Sequence, residues 1–284
     1  MGNIAPTIRL RRLGLALKRE REAAGLTLDE AAALLVRHAT SISRIEKGLH
    51  HPKVRDVEYM LTKYGATDPA LHDRLYDWSR NGRKKGWWQQ FSSDLSPETM
   101  DLIGLEGDSG RIDFLELILI PGLLQTMEYA RTLLKKGPYA TDPAQVERLV
   151  SIRMQRQGIV TRKDPPRLRA VLDEAALHRR VGGPAVMQAQ LLHLVELSHL
   201  PHVSLRVLPY GAGAYPGMTG AFKILELGGP GSLRVVSVDS LTQMSYREKD
   251  DEIQTYTDAF QVLCSMALSE TDSRALIERL LSSP

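Results

Sequence analysis

Between Thr27 and Gly48 the chain writes two short helices, their starts and their stops, and no other stretch restricts the fold as tightly. Thr27 with Glu30 three residues on is a capping box, in which each side chain satisfies a backbone N–H at a helix start. It predicts a helix over residues 28–36 that turns Ala31, Leu34 and Leu35 inward. After Arg37 and His38 a third helix is predicted over residues 39–47, with Ile42 and Ile45 on one face and Gly48 as its stop. A first helix precedes them over residues 9–23: Leu10, Leu13, Leu17 and Ala24 recur at helical spacing, and Gly25 ends the run. Beyond His50, His51 and Pro52, the set Val54, Val57, Met60, Leu61 and Tyr64 predicts a fourth helix, and Leu71, Leu75 and Trp78 a fifth. Five short helices make an all-α first domain over residues 1–80.

The segment Asn81-Gly-Arg-Lys-Lys-Gly86 joins turn residues to three like charges and reads as a basic linker over residues 81–86. Cut at Gly86, the chain is electrically asymmetric. Residues 1–86 carry 17 Lys+Arg against 10 Asp+Glu, a net +7, and residues 87–284 carry 20 against 24, a net −4. A positive field attracts a polyanion; a solvated basic surface gives the same count. The single cysteine, Cys264, forms no intramolecular disulfide and, among apolar residues at helical spacing, is expected to be a buried thiol. No window approaches the roughly 18 uninterrupted apolar residues of a membrane span. Arg9, Arg11 and Arg12 stand where a secretion signal needs an apolar stretch, so a cytoplasmic protein with no membrane partner is expected.

Residues 87–284 mix helical and strand periodicities and are predicted to form a mixed α/β regulatory domain. Residues 112–120 and 203–208 read as strands, Val171 lies in another, and residues 143–157 and 184–197 read as helices. Residues 221–227 and 233–238 read as a hairpin across Gly228-Gly-Pro-Gly231, and helices over 252–267 and 271–281 end the chain.

A helix that reads DNA is braced by a partner helix, so that its N-terminal residues enter the major groove while its apolar side packs inward. Residues 27–48 meet that demand, with Ala31, Ile42 and Ile45 inward and Ala39, Thr40, Ser41, Ser43 and Arg44 offering small, polar or basic surface. Through Leu26-Thr27, Ala31, Ser43-Arg-Ile-Glu-Lys-Gly48 and Pro52, with Arg21 and Gly25 upstream, the segment resembles the Xre family of helix-turn-helix transcriptional regulators. The resemblance implies a sequence-specific DNA-binding regulator with Ala39, Thr40 and Arg44 at base edges and His38 and Ser41 near phosphates or the flank of the site. Ser43 and Lys47 complete the candidate DNA-binding set. Arg44 leads it, because a guanidinium bonds guanine O6 and N7 together, whereas the hydroxyl of Thr40 or Ser43 discriminates less and the Ala39 methyl can meet only thymine. The resemblance also implies that Glu46 turns back to pair with Arg21, a scaffold contact that fixes the reading helix. Two positions depart from the family pattern: Val36 stands where the turn usually has glycine, and His38 where a hydroxyl usually caps the helix. For His38 a ring-nitrogen cap, a phosphate contact and no commitment at all remain open. Such regulators place two reading helices about 34 Å apart, so a homodimer on an inverted-repeat operator is expected.

Residues 86–282 resemble the C-terminal domain of actinobacterial Xre regulators, some described as antitoxin-like Scr-type proteins. The resemblance rests on Gly86-Trp-Trp88, Leu105-Glu106, Pro121-Gly-Leu-Leu-Gln-Thr126, Tyr129-Ala-Arg131, Arg153-Met-Gln-Arg-Gln157, Leu172-Asp-Glu-Ala-Ala-Leu177, Val207-Leu-Pro209 and Gly211-Ala-Gly213. It implies a small partner protein encoded nearby; a small-molecule effector is the other source of a signal, and sequestration of the partner, with DNA binding for autoregulation, is the alternative role. Trp87 and Trp88, next to Phe91, and Tyr210, Tyr215 and Met218 in the glycine-rich stretch 209–220 are the candidate effector or partner contacts. Simple packing suits Trp87 and Trp88 better than a pocket or docking surface. Asp173, Glu174, Glu106, His193, His199 and His202 supply ingredients of catalysis or metal binding without the spacing. His193 and His199, six apart, fall on different sides of a helix, and adjacent carboxylates at a helix start suit its dipole. Gly211-Ala-Gly213 and Gly228–Gly231 lack a phosphate-loop lysine and read as turns. No catalytic residue, metal or cofactor is expected.

Overall fold

The computed structural model describes residues 7–81, 86–137, 142–227, 234–241 and 244–282. The chain divides into two compact units, residues 1–89 and 90–284, each taken by itself below. Two sequence expectations fall outside the described residues: the body of the basic linker, 82–85, and the turn at 228–231.

The first unit is helical: α1 (Ile8–Ala23), α2 (Leu28–Leu35), α3 (Ala39–Glu46), α4 (Val54–Tyr64) and α5 (Pro69–Asn81). Their apolar stripes meet in one core of Leu10, Leu13, Leu17, Ala31, Leu35, Ile42, Ile45, Val57, Met60, Leu61 and Leu75. Leu34 departs from the sequence reading, being 37% exposed. In a helix of eight residues the inward face holds Ala31, Ala32 and Leu35 and leaves Leu34 at its edge. The capping box forms, Glu30 N–H donating to Thr27 Oγ1 at 3.2 Å and Thr27 N–H to Glu30 Oε2 at 2.8 Å.

Helices α1 to α4 end alike. One residue adopts the left-handed conformation and donates its N–H three residues back, while the next donates five back. Gly25 and Leu26 close α1, Gly48 and Leu49 close α3, and Gly65 and Ala66 close α4. Val36 and Arg37 close α2, with Val36 at φ 52° and 87% exposed. A β-branched residue in that conformation costs about 1–2 kcal/mol, which is the reason glycine suits the position.

The second unit contains α6 (Pro97–Asp108), β1 (Ser109–Glu116), α7 (Met127–Lys136), α8 (Pro143–Thr161), β2 (Arg167–Asp173), α9 (Glu174–His178), α10 (Pro184–Leu197), β3 (Val203–Leu208), β4 (Phe222–Leu227), β5 (Arg234–Asp239), β6 (Met244–Arg247), α11 (Asp250–Met266) and α12 (Glu270–Ser282). The six strands form one sheet in the order β3-β2-β1-β4-β5-β6. The first three run parallel, as their helical crossovers require, and β4, β5 and β6 continue as an antiparallel meander. Phe114 lies opposite Ala170 of β2 and Lys223 of β4, and Ile224 opposite Val236 of β5. One face packs Leu115, Val171, Phe222, Ile224 and Val236 against Ile253, Phe260 and Leu263 of α11. The strand expected over 112–120 lies at Ser109–Glu116 instead. Ile118 and Leu119 are exposed beyond its end, while Ile120 buries again at a short turn. Cys264 is half-buried rather than buried, and burial pushes its thiol up. Among the described residues no helix is long and apolar enough to cross a membrane, and no cluster of three His, Cys, Asp or Glu side chains is placed to hold a metal.

β1 ends on Glu116. Burial pushes its carboxyl up from an ordinary value of 4.5 to about 7; Lys223 and Arg156 oppose the rise and Asp239 adds to it. The folded state therefore binds this proton more tightly than the unfolded chain, and stability contributed by the protonated acid falls as pH rises from 4.5 through 7. Because Glu116 keeps some solvent contact, we expect a loss of about 2 kcal/mol across that window rather than the full value of the shift. Urea unfolding of wild type and Glu116→Gln at pH values on either side of the window should show their stability difference growing with pH in favour of the glutamine. Parallel curves would mean the carboxyl titrates normally.

Candidate nucleic-acid interface

α3 has one apolar side and one polar side. Ile42, Ile45 and Glu46 are buried, Ala39 packs against the core, and Thr40, Arg44 and Lys47 are exposed. Positions 40, 44 and 47 follow one another at four and three residues, so their side chains share one face, with half-buried Ser43 at its edge. Ser41 is half-buried on the other flank. His38 is exposed at the N-cap and makes no side-chain cap bond, so α3 begins with backbone N–H groups that no side chain covers. α1 and α2, in contrast, are capped by Thr7 and Thr27. Before α3, Arg37 is tied to Asp56 of α4 at 2.5 Å; after it, His51 meets the Ser79 carbonyl and Ser79 Oγ donates to the Pro52 carbonyl.

A buried ion pair sets the tilt of this helix. Arg21 Nε and Nη2 donate to the two oxygens of Glu46 at 2.7 and 3.1 Å, and Nη1 donates to the Leu26 carbonyl at 2.6 Å. Both residues are buried, at 5% and 9% exposure. The hydrogen bond to Glu46 raises the Arg21 pKa against the cost of burial. Beside the pair, burial and then the Glu46 charge push Tyr64 up to about 12, and its hydroxyl is buried with no hydrogen-bond partner among the described residues. Two glycines let α1 and α3 approach. A Cβ on Gly14 would lie 2.4 Å from the carbonyl oxygens of Ile45 and Glu46, and one on Gly48 2.8 Å from Arg11 N. Gly14 escaped the sequence reading, because a glycine inside a helical pattern signals close backbone approach only when the partner is known.

The remaining candidates are divided between the two units. Trp87 and Trp88 belong to the first unit and meet edge to face with ring centres 6.0 Å apart. Tyr210, Tyr215 and Met218 belong to the second unit. The Tyr215 hydroxyl donates to Asp173 at 2.5 Å, and exposed Tyr210 rests on His178 and donates its N–H to Glu174 at 2.8 Å. Asp173 also caps Ala175 N, so both carboxylates of the Asp173-Glu174 pair are engaged in closing α9 and its neighbouring loop. Glu106 is wholly buried and held by both ends of the Arg156 guanidinium. His202 bonds the Val160 carbonyl at 2.8 Å, and His193 faces Glu196 at 3.7 Å.

Comparison with family models matches residues 12–75 to a helix-turn-helix domain and residues 99–279 to a domain of unknown function, DUF5753. No curated protein and no solved structure matches the chain.

The pair and the left-handed turn act on stability in opposite senses. Arg21→Ala leaves the Glu46 charge buried without a partner and should cost about 3 kcal/mol. Val36→Gly removes the backbone strain at an exposed position and should gain about 1 kcal/mol after the added freedom of the unfolded chain. Chemical unfolding of the full chain, followed by hydrogen exchange in α1 to α4, measures both. An Arg21→Ala protein that unfolds like the wild type would show that the pair does not brace α3.

Proposed function

The chain belongs to the DUF5753 family and carries a helix-turn-helix domain ahead of the family domain, and from that arrangement we propose a cytoplasmic, sequence-specific transcriptional regulator of the Xre type. The observation that carries the reading is the polar face of α3, which presents Thr40, Arg44 and Lys47 outward while its other side is locked to α1 by Arg21–Glu46. A braced helix with a free, basic face suits insertion into the major groove. Thr40 and Arg44, with Ala39 and Ser43 at the edges, read bases; His38, Ser41 and Lys47 approach phosphates, helped by the uncapped N–H groups at the start of α3. The chain acts as a homodimer on an inverted repeat and catalyses no reaction, its best-placed carboxylates being spent on α9 and on Arg156. The second unit senses a small molecule or a small partner protein.

One observation favours the partner protein, in an antitoxin-like role of the Scr type. Ile118, Leu119 and Met127 are apolar and exposed on either side of residues 121–126, one of the marks of that resemblance. Exposed apolar side chains of this kind suit a protein contact. Co-expression with the neighbouring gene should then yield a complex through gel filtration, and the protein emerging alone counts against this role.

Arg44 tests the reading of DNA. Selection from random duplexes by the wild type should return an inverted repeat with half-sites one helical turn apart. On that site Arg44→Ala should cost roughly 1–3 kcal/mol and relax preference at one base pair of each half. If Arg44 only neutralises phosphate, the variant loses selected and random DNA by equal factors and the slope of log affinity against log salt shrinks by about one. Unchanged affinity and slope in a folded variant would remove Arg44 from the interface.

A further inference from the structure

The second unit holds a cavity of about 810 Å³, walled by the first turns of α6, the end of α7, the middle of α8, the end of β5 with Ser240 and Leu241, and Met244. That is the size of a site for an organic molecule rather than for a small ion. Ile103, Leu134, Leu149 and Ile152 make much of its wall apolar. Its charged residues are almost all matched. Arg156 is held at both ends by Glu106, Asp94 receives Arg148 at 2.9 Å, and Asp239 receives Lys223 at 3.2 Å. Glu98 is exposed at the rim.

Arg153 is the exception. Among the described residues no carboxylate lies within ion-pairing distance of it, and its guanidinium donates from Nη1 to the amide oxygen of Gln125 at 2.9 Å. Gln125 is itself buried and fixed, donating to the Ile120 carbonyl at 2.7 Å, so the guanidinium is held in place by a neutral group. A guanidinium carries five N–H donors, and one is engaged. Burial first, and then the neighbouring charge of Arg156, lowers its pKa to about 10, which leaves it charged at neutral pH. Glu106 and Asp239 act on Arg153 from farther off and raise its pKa less than burial and Arg156 lower it. A positioned cation without an ion-pair partner at contact distance, set in an apolar-walled cavity, is complementary to an acid with an apolar body. We infer that this cavity binds an amphipathic organic anion, a carboxylic acid whose head pairs with Arg153 and whose apolar part lies along Ile103, Leu134, Leu149 and Ile152. The inference deepens the sensing role given to this unit and rests on that reading only for its consequence at DNA.

Decanoate and its neutral counterpart decanol are suitable probes, titrated calorimetrically into the full chain. Decanoate should bind with one site per chain and decanol about tenfold more weakly or worse. Arg153→Gln should weaken decanoate by about tenfold and leave decanol unchanged, whereas Leu149→Trp, which fills the cavity from its wall, should weaken both. Failure of the wild type to bind decanoate, equal affinity for the acid and the alcohol, or decanoate binding that survives both substitutions would each overturn the site. Titration of the selected DNA with and without decanoate then separates the two claims. Bound decanoate that leaves DNA affinity unchanged keeps the cavity as a binding site and removes sensing by this ligand.

Discussion

Arg21 on the last turn of α1 grips Glu46 on the last turn of α3 through two hydrogen bonds, and the geometry of the exposed face of α3 follows from that grip. Coulomb attraction alone does not explain it, since burying two charges costs several kcal/mol per ion before any pairing. The third guanidinium bond, to the Leu26 carbonyl, also ties the pair to the turn that launches α2. The same side chain thereby links α1, α3 and the turn before α2, which must keep a fixed relation if α3 is to present Thr40, Arg44 and Lys47 as one surface. Gly14 and Gly48 complete the arrangement by bringing backbone to backbone, so that the position of α3 is set by packing as well as by charge.

The second unit solves a different problem with similar parts. β4 is buried along its whole length, yet it carries Lys223 and Glu226. Glu226 receives Arg111 of β1 and Arg234 of β5, each at 2.7 Å, and Asp113 of β1 receives Arg169 of β2 at 2.7 and 2.5 Å. Arg169 in turn lies over the ring of Phe260 on α11, 4.9 Å from its centre. Alternating charges thus cross four neighbouring strands and end on the helix that covers them. Removing a strand from its register would strand a buried charge at every step, which penalises slippage in a sheet whose apolar residues are otherwise interchangeable.

The first unit was legible because its signals are local. Caps, glycine stops and helical spacing lie within a few residues of one another, and each has a single geometric meaning. Where that locality failed, the reading failed. Periodicity alone turns Leu34 inward, although a two-turn helix buries only a narrow stripe. In the second unit α6 hides behind Gly104 and Gly107, α7 is only ten residues long, and β6 is four residues with no fully buried position. The charge ladder was invisible for a deeper reason. Its partners are as far as 115 positions apart in sequence, and only the parallel and antiparallel pairing of β1 brings them side by side. Arg153 was visible as part of a family mark but not as a site, since its lack of an acid partner is a property of the folded neighbourhood.

Two arginines show how burial separates structure from function within one chain. Arg21 is buried and Arg153 half-buried, and both are fixed by hydrogen bonds to groups that are themselves buried. Arg21 has a carboxylate in place, and the pair raises its pKa. Arg153 has an amide oxygen at hydrogen-bond distance and a second guanidinium nearby, with Glu106 and Asp239 acting on it only from beyond ion-pairing distance, and its pKa is lowered. A charge that is already neutralised makes its contribution in the absence of any ligand, which suits a scaffold that must be rigid before DNA arrives. A charge left without an ion-pair partner keeps its pairing capacity for an anion that enters. The missing partner is therefore what would make Arg153 selective, because an alcohol of the same shape fills the cavity without pairing the charge.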